Sequence, residues 1–428
     1  MRVTVIGLGK IGLPISVQIA EKGFDVIGLD INDKIVTLVN QGVAPFNDEE
    51  DLEYKLKSVN SQSSLSATTN LFDAVSDADI ILFAIPLIID DQLNPDFKTY
   101  DMLIQEVSLY LKEGALLLFE TTLPIGTTRN RFVPIIEKNS KKEAGKSFFA
   151  AFSPERVTSG RIFKDLKKYP KIVGGIDPES TKKAHEFYNR VIDFDLRTDL
   201  SKPNGVWDVD SSESAEFIKL AETTYRDVNI GLANQFAMFS YKNHLSFEQI
   251  REAANSQPYS NIHEPGIAVG GHCIPVYPRF YTWNDESATV VSAARQANLD
   301  MPNFFVDELD KLLGGLEDKK ILILGIAYRE KVKESAFSGA FAIDTFLLRK
   351  GAITFALDPL YTEEETINLG FNVCKNFSEI DAIVLHTKHE IFLKLEINDF
   401  KNLKVLADGR NFLKAWCTKS NVKYFSLG

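Results

Sequence analysis

The sequence predicts an α/β protein with two doubly wound, parallel-sheet domains joined by a long central helix. Three observations predict this fold class. A β-branched segment at the N-terminus leads through a glycine-rich turn into a helix and a second strand. A second series of alternating strands and helices begins near residue 320. Between the two series, the apolar periodicity from Asp210 to about Tyr241 predicts one helix, longer than the ordinary ~11–12 residues.

The first glycine-rich turn has the spacing GxGxxG and lies between a strand, at residues 3–6, and a helix. Gly7 permits the tight turn, Gly9 allows a pyrophosphate to approach the backbone, and Gly12 allows close helix–strand packing. The next strand ends at Asp30, whose carboxylate can bond to ribose hydroxyls and disfavours a 2′-phosphate. This context predicts a Rossmann-like unit that binds NAD rather than NADP; the alternative is a tight turn in another kind of α/β domain.

Further strands in the first half are predicted at residues 79–85, 115–119, 148–152 and 171–174. In a doubly wound sheet, ligands bind beyond the carboxyl ends of the strands. Thr122, Glu155 and Arg156 follow such ends. Each alone is more typical of a cap or a surface turn, but together they predict one crevice. The predicted cofactor contacts are Gly7, Gly9, Lys10, Ile11, Gly12, Asp30, Pro86 and Thr122.

The central helix is predicted to place Lys219, Thr223 and Arg226 on one face, because residues about four positions apart are neighbours on a helix. The alternative is a solvent-exposed polar stripe in which Glu222 pairs with Arg226. A helix of this length is expected to form a spine between two domains and a contact across a dimer.

The segment at 265–278, PGIAVGGHCIPVYP, carries three glycines, three prolines and Cys273. Glycine allows positive φ and proline prevents a regular ladder, so this composition predicts a rigid, irregular loop. A cysteine on such a loop can present a thiolate to a substrate. The alternative is a buried structural cysteine, which is common for free thiols.

The second series of strands is predicted at 321–325, 354–357, 381–385 and 405–406, with a helix at 340–349. This series has no GxGxxG pattern. Its strand ends carry Tyr328, Arg329 and Arg410, and the two guanidinium groups suit an anionic, nucleotide-like ligand.

The bulk composition limits the class of protein. A chain of 428 residues is too long for one core, so two or three domains are expected. The net charge of −11, from 48 basic and 59 acidic residues, argues against a nucleic-acid partner. The three cysteines, Cys273, Cys374 and Cys417, have no metal-ligand spacing, so no metal is predicted and a reducing compartment is favoured. The longest apolar run, at 80–89, is too short to cross a bilayer, and the N-terminus starts a strand rather than a signal peptide. We therefore expect a cytoplasmic protein without a membrane partner.

Several motifs follow one another in a recognisable order: GLGKIGLP (7–14), ETTLPIGTTR (120–129), SPER (153–156), FIKLAETTYRDVNIGLAN (217–234), GGHCIPVYP (270–278), GIAYR (325–329) and DGR (408–410). Over almost its whole length the chain resembles the UDP-glucose/GDP-mannose dehydrogenase family, the NAD-dependent nucleotide-sugar 6-dehydrogenases. The RDVNI tract and the GGHC spelling are more similar to the branch that acts on UDP-N-acetylhexosamines than to the animal UDP-glucose enzymes.

The resemblance implies a four-electron oxidation of the C6 alcohol of a UDP-sugar, a UDP-N-acetylhexosamine or UDP-glucose, to the UDP-uronic acid. Cys273 would form a thiohemiacetal and then a thioester, and Lys219 would stabilise the oxyanion. Glu155 would be the general base for the hydrolytic water, which Thr122 would help to order. The implied substrate contacts are Glu155, Arg156, Lys219, Thr223, Arg251, Gly270, Tyr277, Tyr328, Arg329 and Arg410.

The resemblance also implies the domain division and the assembly. Residues 1–200 would bind NAD, 201–302 would form a central helical domain with the cysteine loop, and 303–428 would form a Rossmann-like domain for the UDP-sugar. A homodimer through the central helix and a role in polysaccharide supply are expected.

The sequence departs from the family pattern at positions near the reacting carbon. Tyr277 replaces the usual aspartate, and Thr223 replaces the usual asparagine. The C-terminal domain departs as well, because KESAFSG (333–339) replaces a more acidic, arginine-bearing tract. A tyrosine is a poor base at neutral pH, because its unperturbed pKa is ~10. Two alternatives therefore stay open: a two-electron dehydrogenase that stops at the aldehyde, and a catalytically silent nucleotide-binding homologue.

Overall fold

The computed structural model describes residues 1–417 and 420–428. The chain forms two compact units. The first comprises Met1–Glu222 with Arg279–Asn284, and the second comprises Thr223–Pro278 with Asp285–Gly428.

The first unit is built on short strands. They are β1 Arg2–Ile6, β2 Asp25–Leu29, β3 Leu65–Thr68, β4 Ile80–Phe83, β5 Ile88–Ile89, β6 Pro95–Asp96, β7 Ala115–Phe119, β8 Phe148–Phe152, β9 Lys171–Gly175 and β10 Val206–Asp208. Strands β5 and β6 pair as a short antiparallel hairpin. Strands β4, β7 and β8 are buried along their whole length, as is typical of parallel sheets covered on both faces.

The remaining strands of this unit form one sheet in the order β10-β9-β8-β7-β4-β1-β2-β3. From β8 to β3 the strands are parallel, in the order that is typical of dinucleotide-binding sheets. Strand β9 runs antiparallel to β8, with Ala151 opposite Gly175. Because of this reversal, the first residue of β9, Lys171, lies at the sheet edge where β7 and β8 end.

The helices of the first unit connect these strands. They are α1 Gly12–Glu21, α2 Asp33–Asn40, α3 Leu52–Ser61, α4 Leu71–Val75, α5 Lys98–Leu109, α6 Val133–Ser140, α7 Ile162–Lys168 and α8 Pro178–Val191, with a π-helical turn at Thr128–Phe132 before α6. The next helix, α9, Ser212–Lys242, has 31 residues and continues from the first unit into the second.

The second unit contains the strands β11 Lys320–Leu324, β12 Ile353–Leu357, β13 Ala382–Leu385, β14 Val405–Asp408 and β15 Lys423–Ser426. They form a parallel sheet in the order β12-β11-β13-β14-β15. Its helices are α10 Phe247–Asn255, α11 Tyr277–Asn284 (whose last six residues belong to the first unit), α12 Thr289–Leu313, α13 Gly339–Arg349, α14 Glu363–Asn368 and α15 Lys414–Cys417. Short 3-10 turns lie at Phe377–Glu379, Glu390–Lys394 and Ile397–Asp399.

The predicted fold class is confirmed: two parallel-sheet α/β structures and one long helix, α9, are present. Sequence analysis did not find helix α12, which runs through Pro302, the point where it placed the second domain boundary. Proline removes one helical N–H donor. The helix nevertheless continues, because Met301, Phe305 and Leu309 on its apolar face pack into the core of the second unit. Within the described ranges, no helix combines the length and apolar character that crossing a bilayer requires.

Candidate active site

The glycine-rich turn of the first unit has the geometry that a dinucleotide requires. Gly7 has a φ of +94°. A β-carbon added to Gly12 would lie 1.8 Å from the carbonyl oxygen of Gly7, so helix α1 and strand β1 pack in direct backbone contact. No described atom lies within 4 Å of a β-carbon built on Gly9, which leaves open space beside its backbone. These features fit a pyrophosphate that approaches Gly9 at the start of a helix.

Asp30 is oriented by the same turn. One carboxylate oxygen accepts the N–H of Leu8 at 2.8 Å, and the other accepts the N–H of Asn32 at 2.9 Å. Asp30 is partly exposed, so its remaining lone pairs can reach ribose hydroxyls. The next residue, Ile31, is 99% exposed. Sequence analysis did not select Ile31. Its exposed side chain lies next to Asp30, the residue that can bond to the ribose, and it offers an apolar face to an adenine ring.

The other predicted cofactor residues lie around this turn and at the adjacent strand ends. Lys10 forms an ion pair with Asp48 at 2.5 Å. Ile11 precedes helix α1 and is half-buried. Pro86 is exposed beyond the end of β4, whereas Thr122 is buried beyond the end of β7.

A buried ionic group lies where strands β7, β8 and β9 meet. The ammonium of Lys171 donates to the carboxylates of Glu120 and Glu155, at 2.8 Å each. Glu155 also accepts the backbone N–H groups of Arg156 and Val157 at 2.7 and 3.1 Å. One cation therefore bridges two carboxylates, and every oxygen of Glu155 has a donor.

The electrostatic environments of the two carboxyl groups differ. Burial raises the pKa of Glu120 and is only partly offset by the charge of Lys171. Burial acts in the same direction on Glu155, but the charge and hydrogen bonds of Lys171 and the Arg156 N–H outweigh it and lower the pKa of Glu155. Burial lowers the pKa of Lys171, but the two carboxylates outweigh it and raise that pKa.

Lys219 and Arg156 are held beside this group. The Lys219 ammonium donates to the backbone oxygen of Glu155 at 2.6 Å. The Arg156 guanidinium pairs with Glu222 at 2.5 Å. The pairing of Glu222 with Arg226, considered from the sequence, was wrong, because the nearby Arg156 reaches Glu222 from the loop after β8. Thr223, one turn beyond Lys219, is buried.

The segment that follows Thr122 is fixed by Glu216 of helix α9. Its carboxylate accepts the N–H groups of Gly126 and Thr128, at 2.5 and 2.8 Å, and the Thr128 hydroxyl at 2.7 Å. Burial outweighs these hydrogen bonds and raises the pKa of Glu216 to about 7. A carboxyl group that sequence analysis did not select thus anchors the loop between β7 and α6.

Glu216 gives the protein a pH-dependent stability. Its pKa in the folded state, about 7, is above the ordinary 4.5. The folded state therefore holds a proton that the unfolded state has lost, and this stabilisation disappears as pH rises from 4.5 to 7, by about 3 kcal/mol. In urea unfolding, wild type should lose about this much relative to Glu216→Gln over that interval. A stability difference that does not change with pH would contradict the assignment.

In the second unit, Cys273 is exposed on the irregular loop. A β-carbon on the preceding Gly271 would lie 2.9–3.2 Å from the ring of Tyr328, and Gly271 has a φ of +87°. One on Gly270 would lie 2.7 Å from the Tyr328 β-carbon. The loop is therefore packed directly on Tyr328, whose pKa is raised by burial and, despite the charge of Arg329, by the charge of Glu334.

The residue before the cysteine is also held in place. His272 pairs with Glu334 at 2.7 Å, and the hydrogen bond to this carboxylate raises the pKa of the imidazole. Sequence analysis found neither partner, because the two residues are far apart in the chain. Tyr277 starts helix α11, and its N–H bonds to the carbonyl oxygen of Cys273 at 2.9 Å.

A cavity of about 260 Å³ in the second unit is lined by two of the four predicted arginines, Arg251 and Arg410. Arg410 donates to the backbone oxygens of His386 and Ala268, at 2.8 and 3.1 Å. Arg251 lies 3.6 Å from Glu264. Arg329 lies beside the predicted site residue Tyr328, with its guanidinium 5.7 Å from that ring. The cavity can hold part of an anionic ligand.

The turn after β11 repeats the geometry of the cofactor turn. Gly325 has a φ of +98°, and Asp358, which follows β12, accepts the N–H groups of Ile326 and Ala327 at 2.7 and 2.8 Å. The same oxygen also lies 3.3 Å from the His389 imidazole. Asp358 is 3% exposed.

Family models match most of the chain. The NAD binding domain of the UDP-glucose/GDP-mannose dehydrogenase family matches residues 1–192, its central domain matches 213–300, and its UDP binding domain matches 322–415. The chain belongs to the UDP-glucose/GDP-mannose dehydrogenase family. The predicted family is thereby confirmed. This member of the family uses NAD, and it carries the cofactor turn within the matched NAD binding domain.

Individual proteins of the family are similar over their full length. The UDP-N-acetyl-D-mannosamine dehydrogenase of Pyrococcus horikoshii is 32% identical over 423 residues, which cover 97% of this chain and 96% of that protein. A solved structure of UDP-D-ManNAc dehydrogenase from the same organism has a TM-score of 0.88 at 28% identity and covers 100% and 99% of the two chains. The native UDP-N-acetyl-mannosamine dehydrogenase of Staphylococcus aureus has a TM-score of 0.83 at 27% identity, with 100% and 98% covered. The chain is an NAD-dependent nucleotide-sugar dehydrogenase.

Sequence analysis did not select two charged residues of this candidate site. Glu120 was seen only as the end of a strand, and Lys171 only as the start of one. In an all-parallel sheet the first residue of a strand lies opposite the ligand edge. The reversal of β9 moves Lys171 to that edge. The signal that could have found it is a lysine placed directly before a fully apolar strand, since buried lysines require partners.

Proposed function

We propose that the protein oxidises the C6 alcohol of a UDP-N-acetylhexosamine, with UDP-N-acetyl-D-mannosamine as the first candidate, to the UDP-uronic acid. The observation that carries this proposal is the exposed thiol of Cys273, held on a loop that packs against Tyr328. The names of the similar proteins from Pyrococcus horikoshii and Staphylococcus aureus support the choice of sugar.

The reaction needs two hydride transfers and one water. The alcohol first gives its hydride to NAD and loses a proton, which leaves an aldehyde. The Cys273 thiol adds to the aldehyde carbon and forms a thiohemiacetal. The hydride of that carbon would pass to a second NAD, a second proton would leave, and a thioester would result. Water then cleaves the carbon–sulfur bond, which gives the acid and restores the thiol. A thiol suits both steps because it attacks well and leaves well.

In this proposal the charged residues of the first unit serve the oxygen atoms of the substrate. Lys219 stabilises the negative oxygen that develops at each hydride transfer and at hydrolysis. Glu155 accepts the proton of the hydrolytic water, which Thr122 helps to order. Gly7, Gly9 and Asp30 would hold NAD, which would supply the hydride acceptor.

The remaining predicted contacts serve the nucleotide and the sugar. The guanidinium groups of Arg251, Arg329 and Arg410 suit the diphosphate, because arginine binds phosphate in a bidentate manner. Gly270, Tyr328, Tyr277, Thr223 and Arg156 are proposed to line the substrate. Tyr277 replaces a family carboxylate, so water activation depends on Glu155 alone in this proposal.

The amount of NADH per sugar tests the function. Each of UDP-N-acetylmannosamine, UDP-N-acetylglucosamine and UDP-glucose is supplied as limiting substrate with excess NAD. Two NADH from one sugar, with the uronic acid as product, is the expected result. One NADH would show a two-electron enzyme that stops at the aldehyde. An absence of NADH with all three would leave a nucleotide-binding protein without turnover.

We also propose that the protein is a homodimer through helix α9. The large apolar residues Tyr225, Leu232, Phe236 and Phe239 are 43–62% exposed and recur at intervals of seven, four and three. Such spacing forms the stripe that pairs helices in coiled coils. The predicted domains 1–200, 201–302 and 303–428 are retained as part of this proposal, with α9 as the pairing element of the central one.

Replacing Leu232 and Phe236 together by aspartate should convert the dimer to a monomer in sedimentation velocity. The substitutions would remove apolar contacts between the two α9 helices. The introduced carboxylates of one protomer would also repel those of its partner. Leu348→Asp, at an exposed position on α13, is the matched control and should stay dimeric. A dimer that survives both α9 substitutions would place the interface elsewhere.

We propose both a compartment for the protein and a use for its product. An exposed catalytic thiol stays reduced in a reducing compartment, which favours the cytoplasm. A UDP-uronic acid is an activated building block, so supply of a polysaccharide is the proposed role of the product.

A further inference from the structure

Glu120, Lys171 and Glu155 form a buried, hydrogen-bonded group that includes the proposed base. The side chains of Glu120, Lys171 and Glu155 are 1%, 5% and 10% exposed. The Lys171 nitrogen lies 2.8 Å from Glu120 Oε1 and 2.8 Å from Glu155 Oε2. These contacts form a continuous path of hydrogen bonds from one carboxyl group to the other through the ammonium.

The charges of this group do not balance when both carboxyl groups are ionised. One ammonium then faces two carboxylates, and a surplus buried charge is unfavourable. One carboxyl group therefore takes up a proton more readily than an ordinary glutamate does. Among the described residues, Glu120 Oε2 is buried without a hydrogen-bond partner, whereas both oxygens of Glu155 accept hydrogen bonds. A proton that enters the group therefore settles on Glu120, while Glu155 keeps its charge.

We propose that Glu120 stores the proton that Glu155 takes from the hydrolytic water, with Lys171 as the bridge between them. Lys171 gives one of its protons to Glu120 as its nitrogen takes the proton held by Glu155, so that the two transfers occur in one concerted shift. The ammonium is restored, Glu155 is ionised again, and Glu120 becomes neutral. Glu120 and Lys171 are thus positioning residues that act through Glu155. This inference rests on the proposed function, in which Glu155 is the base.

Other groups around Glu155 do not provide the store. Lys219 contacts its backbone oxygen, and the guanidinium of Arg156 pairs with Glu222. The Tyr188 hydroxyl of helix α8 donates to Glu120 at 2.7 Å, and burial, with the charge of Glu120, holds the pKa of Tyr188 well above its ordinary value. The opposite pKa shifts of Glu120 and Glu155 make transfer toward Glu120 favourable.

The pH at which kcat falls on the acidic side of its profile, here called the acidic limb, tests the proposal. It distinguishes a proton store from a brace, meaning a group that only holds Glu155 in place. In wild type Glu120 must be ionised to take up the proton, so the limb should follow the protonation of Glu120. In Glu120→Gln the limb should instead follow Glu155, beside the charge of Lys171, and move down by about one pH unit or more. In Lys171→Met two carboxylates face each other without a cation, so the limb should move up by a similar amount. Lys171→Arg keeps the charge and should leave the limb near its wild-type position. A brace would lower kcat in these variants without moving the limb, which would overturn the proposal.

Circular dichroism and thermal melting verify that each variant folds. If Lys171→Met does not fold, the double variant with Glu120→Gln replaces it, because it keeps the net charge of the wild-type group. The acidic limb of the double variant should lie at a higher pH than that of Glu120→Gln, because Glu155 no longer has a cation beside it. An equal position for both would count against the bridge.

Infrared spectroscopy of the resting protein tests the store without turnover. As the pH is lowered, the protonated carboxyl band of Glu120 should appear while the pH is still above 4.5, the ordinary value for glutamate. This band should be absent in Glu120→Gln and present in Lys171→Met. Glu216→Gln removes a different band and serves as the control. Absence of a Glu120-dependent band would overturn the store even if two NADH form per sugar. Its presence in a protein without turnover would support the store, while the proposed function itself would have failed.

Discussion

Cys273→Ala is expected to abolish formation of the UDP-uronic acid. The first hydride transfer needs no thiol, but the aldehyde it leaves has no nucleophile to capture it, so neither the thiohemiacetal nor the thioester can form. Loss of a covalent nucleophile from a working active site usually lowers kcat by roughly 10⁴- to 10⁶-fold. The measurement is acid product and NADH per limiting sugar, and at most one NADH should appear.

The chain offers a matched control for this variant. Cys374 is also a free cysteine, half-buried near the second sheet, and Cys374→Ala should keep two NADH per sugar. NAD affinity should be unchanged in both variants, because the cofactor turn lies in the first unit and both cysteines lie in the second. Acid formation that survives Cys273→Ala would disprove the thioester route and turn attention to Tyr277.

The second large effect is expected at the cofactor turn, where alanine substitutions of Gly9 and Gly12 should have different consequences. The first should weaken NAD binding, and the second should destabilise the fold. A β-carbon at Gly9 meets no described atom, so Gly9→Ala should fold with an unchanged melting temperature. The added methyl occupies the space where the pyrophosphate approaches the backbone. Overpacking of this kind costs about 1–3 kcal/mol, which corresponds to a roughly 5- to 150-fold weaker NAD affinity.

Gly12→Ala should instead damage the fold. Its β-carbon would lie 1.8 Å from the carbonyl oxygen of Gly7, which is backbone and cannot turn away. Helix α1 must separate from strand β1, so the free energy of unfolding should fall by about 3 kcal/mol or more. Thermal melting and NAD titration of both variants check the pair. Equal melting temperatures for Gly9→Ala and Gly12→Ala would show that the turn is not packed as described.

Much of the fold was predictable because buried parallel strands are continuous apolar runs. Strands β7 and β8 begin and end as the sequence predicted. Helix α9 was predictable from its apolar period, and its observed span, Ser212–Lys242, agrees closely. Helix α12 was not, because local rules treat Pro302 as a helix breaker and cannot weigh the core that its apolar face enters.

The candidate site was predictable where a motif carries its own chemistry. The glycine turn with Asp30 and the loop around Cys273 were found because spacing and composition alone indicate their geometry. Lys171 and Glu216 were not found, since their partners come from distant segments and only the fold brings them together. The catalytic and binding roles given to the predicted residues remain predictions, and the variants described above test them.

The turn after β11 has a consequence for cofactor selection. Asp358 stands where Asp30 stands in the first unit, but Ile326, Ala327 and His389 surround the oxygen that a ribose hydroxyl would need. The same glycine turn with a following aspartate thus occurs in both units. In the second unit, the aspartate oxygen is already occupied by backbone N–H groups and an imidazole of the protein. We therefore expect the chain to bind one NAD, in its first unit, even at high cofactor concentration, and titration calorimetry of NAD should give a stoichiometry of one per chain.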